Sequence, residues 1–252
     1  MLAHGLGGMV TTKQTRVLHE AVGVLCSTRG DQLSMLSVVH KIYLLHEFGC
    51  KLPYTGELLE SLWYSKQEVR VWQLAIGFFV ALAKASAPTS TRMLPRHESL
   101  EEWCMDILRQ QYVWLSIDDI EALLSAFIQL DVYDGGLLRI LGNHALHLSE
   151  KFEDRLSVWS LLADADYMHV GLMEAMLTDL KDCDIQQMAV DTQLSLLPFL
   201  AESANYYRGQ TTDGEELCGH SSSGTISACV EELVITLQTP TNVPAGKCYY
   251  YE

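Results

Sequence analysis

Residues 123–136 read LLSAFIQLDVYDGG, and residues 158–171 read VWSLLADADYMHVG. Laid over each other at a shift of 35, Ser125 falls on Ser160, Asp131 on Asp166 and Gly136 on Gly171, and Leu137 falls on Leu172 just beyond. Apolar residues also meet apolar residues: Leu123 meets Val158, Leu124 meets Trp159, Phe127 meets Leu162, Leu138 meets Met173 and Leu141 meets Met176. What recurs is a small residue in a first helix, a polar turn, and apolar stripes on both flanking helices. Surface positions vary because only the packing is shared, which is how an α-solenoid repeats without looking repetitive. A further shift of 35 places Ser195 beneath Ser160, with Leu194, Leu196 and Leu197 around it. Upstream, LSVVHKI around Ser37 and AIGFFVAL around Gly77 fit the same helix at looser spacing.

The expected fold is all-α: an α-solenoid of helix-turn-helix repeats of about 35–40 residues, followed by a flexible linker and a short C-terminal tail. Ser116 is placed as an N-cap, with Asp119 completing a capping-box-like start. The first helix then runs through IDDIEALLSAFIQL, residues 131–134 turn, and GLLRILGNHALHLSEK forms the partner. Upstream, DQLSMLSVVHKIYLLHEFG (31–49) shows a buried helical face with Asp31 as its N-cap, closed by Gly49 and Pro53. Thr55 starts another helix, residues 67–85 form a long interior helix, and residues 100–115 are helical again. SAPTSTRMLPRHES (86–99), with two prolines, is a joint within an array spanning 31–208. Residues 209–225 are Gly/Ser-rich and read as a linker; 226–252 read as a short helix and a strand-like tail.

Hydrophobic residues make up 48% of the chain and charged residues 19%, a folded composition. The net charge of −15 is unevenly placed. Residues 1–111 hold 11 Lys/Arg against 10 Asp/Glu, whereas residues 112–207 hold 4 against 16. Neutralising many phosphates takes a basic face, so the acidic half is a poor candidate for nucleic acid. Seven scattered cysteines without a CxxC argue against a disulfide framework or zinc site and for a reducing compartment. The longest apolar run, LAIGFFVALA (74–83), is shorter than the roughly 20 residues of a membrane span. The first thirty residues, with Lys13, Arg16 and Arg29 against Glu20, read either as an organellar transit peptide or as an ordinary first helix.

No catalytic constellation emerges. HGLGGMVTTK fails as a phosphate loop because Val10 stands where the last glycine is needed. DVYDGG fails as a calcium loop because Tyr133 occupies a ligand position and no glutamate closes it. His144 and His147 share a helix face, but no third ligand completes a metal site there. Asp164 and Asp166 read as turn formers, and the five tryptophans fall on apolar stripes, where packing is the expected role. The basic clusters are Lys66 with Arg70 and Arg92 with Arg96. Each reads either as a backbone-binding face for RNA or as solvated charge. RNA contact gains support if Lys41, Lys51, Lys66, Arg70, Lys84, Arg92 and Arg96 share one concave face.

The array containing LSIDDIEALLSAFIQLDVYDGGLLRIL (115–141), together with the tail SACVEELVITLQ and KCYYYE, resembles FAST-kinase-like and RAP-domain proteins. The resemblance covers roughly residues 30–252. In that family a Tyr-rich strand leads into a small α/β domain, so this chain either lacks that domain or is cut before it. The resemblance implies a mitochondrial location and a role in RNA processing, stability or ribosome assembly; apart from the resemblance, the helical repeats also fit a general cytoplasmic adaptor unrelated to RNA. It implies protein partners in a ribonucleoprotein assembly, with RNA as a second candidate partner. It implies no enzyme activity; the motifs and apolar runs read above lead to the expectation of no cofactor, metal, small-molecule substrate or membrane insertion. The family's RNA binders tend to be basic, and the acidity of this chain favours a protein scaffold over direct RNA contact.

Overall fold

The computed structural model describes residues 33, 36–49, 55–86, 96–181, 183–210, 226 and 228–230. The helices are α1 (Val38–Phe48), α2 (Thr55–Tyr64), α3 (Trp72–Ala85), α4 (Glu98–Gln111), α5 (Ile117–Leu130), α6 (Gly135–Leu148), α7 (Phe152–Asp164), α8 (Val170–Leu180) and α9 (Val190–Gln210). Short 3₁₀ turns at Lys66–Glu68, Tyr112–Trp114 and Ile185–Gln187 join them. No strand occurs among the described residues, so the all-α expectation holds there. The first thirty residues, most of the joint at 86–99, residues 211–225 and the strand-like tail lie outside the described residues.

The chain divides into two compact units, 1–172 and 173–252. In the first unit, alternate helices stack on one another: α1 on α3, α3 on α5, and α5 on α7. The even helices follow in parallel order, with α2 meeting α4 and α4 meeting α6. Each even helix also packs on the odd helix before it. The sequence explains this. Phe79 of α3 meets Phe127 of α5 edge-on at 4.9 Å, and Leu45, Phe79, Leu82, Leu123, Leu124, Phe127 and Leu162 are all fully buried. Gly49 lets α1 approach α3: a Cβ there would sit 2.6 Å from that of Ala85.

Local chemistry sets the boundaries. Ser116 caps α5 through the Asp119 N–H while the Asp119 carboxylate accepts from the Ser116 N–H at 3.0 Å, a reciprocal capping box. Asp134 caps α6 by accepting from the Leu137 N–H at 2.7 Å. At the position 35 residues on, His169 accepts from the Leu172 N–H through Nδ1 at 3.0 Å. His97 does the same for Leu100 at the start of α4, at 3.3 Å. Helix α1 starts later than the sequence suggests: its N-cap is Ser37, not Asp31, because the Ser37 hydroxyl is placed to accept from the His40 N–H. The long interior helix also begins at Trp72, since 66–68 turn first and Val71 is extended.

The 35-residue spacing is kept from α5 to α7, whose first residues are Ile117 and Phe152. It lengthens to 38 between Phe152 and Val190, where the Ile185–Gln187 turn occupies the connection. The shift that placed Ser195 beneath Ser160 is therefore displaced by one helical turn. In the second unit, Met176, Leu177, Leu180, Ile185, Leu196, Phe199, Leu200, Ile226 and Cys229 are buried. Gln193 ties the start of α9 to the connector by donating to the Ile185 and Met188 carbonyls at 2.8 and 3.1 Å.

Candidate interaction surface

Of the cations singled out from the sequence, the structure brings Lys66 and Arg70 together on the turn between α2 and α3. The Lys66 ammonium stands 3.3 Å from the centroid of the Trp63 ring and 5.5 Å from that of Trp103. A cation over an indole face is attracted by the ring quadrupole. The Trp103 indole N–H donates to the Val69 carbonyl at 3.3 Å, which holds the second ring in place. Arg70 is exposed and donates to Gln67 Oε1 at 3.0 Å. Gln111, at the end of α4, clamps the turn. Its side chain donates to the Arg70 carbonyl at 2.8 Å and accepts from the Trp72 N–H at 3.1 Å.

Arg96 has a different position. It forks onto Glu101, with Nε donating to Oε1 at 2.9 Å and Nη2 paired with Oε2, while Nη1 donates to the Leu130 carbonyl at 2.7 Å. It thereby closes the C-terminal end of α5 and neutralises a carboxylate buried on α4. Its hydrogen bonds to Glu101 hold its pKa above the ordinary arginine value. Arg92 and Lys51 lie outside the described residues. Lys41 is buried, donating to the Ser61 carbonyl at 3.0 Å and the Ser65 hydroxyl at 2.7 Å, and burial pulls its pKa down. Lys84 pairs with Glu47 at 3.3 Å, and Arg109 bridges Asp106 and Asp134. Lys41, Lys84, Arg96 and Arg109 thus each have a partner within the chain.

Five exposed apolar residues lie at connections that lead from an even helix to the next odd one, while Tyr133 lies on the α5–α6 turn. Tyr64 and Val71 flank the α2–α3 turn, Val113 and Trp114 lie between α4 and α5, and Leu148 ends α6. Tyr64 is 82% exposed and Trp114 is 70% exposed. Trp114 was expected on a buried stripe; α4 stops at Gln111, and the 3₁₀ turn that follows lifts its ring out. Polar contacts link successive connections. Gln111 holds the first, and His144 Nε2 lies 3.1 Å from the Leu115 carbonyl with its ring edge-on to Tyr112 at 5.5 Å. That contact gives His144 a packing role that its sequence spacing to His147 does not reveal.

No family model, curated protein or solved structure matches this chain.

Among the described residues no group of three or more His, Cys, Asp or Glu side chains is placed to hold a metal ion. No described helix is long and apolar enough to cross a membrane. The most unusual buried polar group is His169. Its ring lies directly on the backbone of α6 at Gly142, where a Cβ would come within 2.3 Å of His169 Cδ2. Burial lowers its pKa, and a hydrogen bond with the Arg139 backbone acts in the opposite direction. With Nδ1 accepting from Leu172, the neutral ring carries its proton on Nε2. Neither His97 nor His169 was singled out from the sequence, because histidine is not among the residues preferred at N-caps.

Proposed function

We propose that this chain is a non-enzymatic α-solenoid scaffold that holds protein partners together in mitochondrial RNA metabolism. The observation that carries the scaffold reading is the order of helix packing, odd helix on odd helix from α1 to α7, with the same turn and cap chemistry returning after 35 residues. Such an order makes a long surface whose exposed residues are free of the packing constraint. The placement in mitochondrial RNA metabolism is supported by the sequence resemblance alone. The acidity of residues 112–207 and the internal pairing of Lys41, Lys84, Arg96 and Arg109 support proteins over RNA as the direct partners.

A second reading, direct RNA binding, has its own observation. Lys66 stands over the Trp63 ring, with the exposed Tyr64 and Arg70 close by in the sequence, and cations together with aromatic rings are what single-stranded bases stack on. A filter-binding titration of the purified chain against pooled mitochondrial RNA at two salt concentrations separates the two. The scaffold reading expects no saturable binding at low salt. Binding that weakens steeply with salt, and is lost on Lys66→Ala with Arg70→Ala, moves the role to RNA contact.

A further inference from the structure

Along α9, Val190, Leu194, Leu197 and Ala201 recur at spacings of four, three and four, and all are exposed, Leu194 at 50% and Leu197 at 39%. At roughly 100° per residue the four lie within about 60° of one another, so they form a stripe. The buried residues Gln193, Leu196, Leu200 and Ser203 occupy another arc of the same helix.

Comparison with α5 shows what such a stripe does. Aligned from their first residues, the four positions correspond to Ile117, Glu121, Leu124 and Ile128. Phe127 of α5 faces α3 through Phe79. The four corresponding residues lie roughly 60–120° round the helix from Phe127. None of them is exposed, in a helix that packs on α7 as well as on α3. Leu124 is buried and the other three are half-buried, whereas their counterparts on α9 are exposed.

Charge selects the occupant. Residues 173–210 hold six Asp/Glu and two Lys/Arg, and Asp191 and Glu202 lie on the helix beside the stripe. A second copy seated on the same face would bring these carboxylates against their own counterparts. The chain's own segment ISACVEELVITLQ would add Glu231 and Glu232 and no cation. We infer that α9 docks an amphipathic helix of another protein. The apolar stripe of that helix seats on Val190, Leu194, Leu197 and Ala201, and its flanking lysines and arginines face Asp191 and Glu202. This assignment rests on the scaffold reading and names the chemistry of one partner.

The test is fluorescence anisotropy of the full chain with two labelled synthetic helices that share one leucine stripe. One is flanked by lysine and the other by glutamate. The lysine-flanked helix should bind at least about tenfold more tightly, since charge complementarity sets partner choice. Leu194→Glu combined with Leu197→Glu should weaken that binding by at least about tenfold. Because both leucines are exposed, the double variant should melt at the unmodified chain's temperature. Equal affinity for the two helices, or binding that survives the double substitution, overturns the proposal. So does a dimer in sedimentation velocity that the double substitution dissolves, which would assign the face to a second copy. The scaffold reading itself fails on the separate RNA titration, so the two failures are distinguishable.

Discussion

Asp131 and Asp166, 35 residues apart, both turn the chain through the left-handed region, with φ of 55° and 52°. They are the non-glycine residues with positive φ among those described. Each is followed by the same closure: the Val132 N–H donates to the Phe127 carbonyl at 3.0 Å, and the Tyr167 N–H to the Leu162 carbonyl at 2.9 Å. These are the six-to-one bonds of a Schellman turn. The repeat read from the sequence is thus a repeat of backbone conformation as well as of residue type, and the shared aspartate is one of the few residues that tolerate this conformation.

The left-handed conformation costs most residues about 1–2 kcal/mol and glycine nothing. Asp166→Gly should therefore leave stability unchanged or raise it by up to about 1 kcal/mol, and Asp166→Val should lower it by about 1–2 kcal/mol. Urea denaturation followed by circular dichroism measures both. The same pair of substitutions at Asp131 should give the same order.

Gly142→Ala forces the His169 ring off the α6 backbone, and overpacking of this kind costs about 1–3 kcal/mol. Replacing the ring as well, in Gly142→Ala with His169→Ser, keeps a hydroxyl to cap the Leu172 N–H and removes the clash. The double variant should recover most of the loss. A double-mutant cycle in urea that shows the two substitutions to be additive would contradict the contact.

His169 also sets a pH dependence. Burial holds its folded pKa below the ordinary 6.5, and Nδ1 must stay unprotonated to accept from Leu172. The groups facing it are the Leu172 N–H, the Arg139 carbonyl, the Gly142 backbone and the Tyr167 ring. Above the unfolded pKa both states are neutral and the contribution is fully present. As pH falls through that value the unfolded chain takes up the proton first, so stability is lost. Melting temperature should therefore fall below about pH 6.5, and His169→Ser should show a shallower fall over the same range.

Arg96→Met leaves the Glu101 carboxylate, 5% exposed, without its cation. Breaking a buried pair costs about 3–5 kcal/mol, but the arginine here is 42% exposed and screening reduces the loss to about 1–3 kcal/mol. Arg70→Met, at an exposed site bonded only locally, should cost less than about 0.5 kcal/mol. Chemical denaturation of the two variants side by side checks the ranking.

The parts of the fold that were legible in the sequence are those with local causes. Ser116 and Asp119 sit three positions apart in a capping box, and aspartates, which favour turns, bracket 131–134, so helix α5 and its end could be read directly. The ends set by tertiary contact could not. Helix α3 starts at Trp72, where Gln111 from a distant helix receives its N–H. Trp114 has the composition of a core residue and is exposed because a 3₁₀ turn, invisible to periodicity, precedes α5. Lys41 has the composition of a surface residue and is buried because the end of α2 offers it a carbonyl and a hydroxyl. Lys66 and Arg70 were paired by spacing, whereas the rings of Trp63 and Trp103 around Lys66 come from two helices and emerge only on folding.

On the proposed function, the chain works by holding proteins. The most direct measurement is affinity purification of the tagged chain from mitochondrial extract, with and without ribonuclease, followed by quantitative mass spectrometry. The scaffold account predicts a defined set of proteins retained at equal yield after the RNA is digested. Loss of that set on ribonuclease treatment would contradict it and make RNA the bridge.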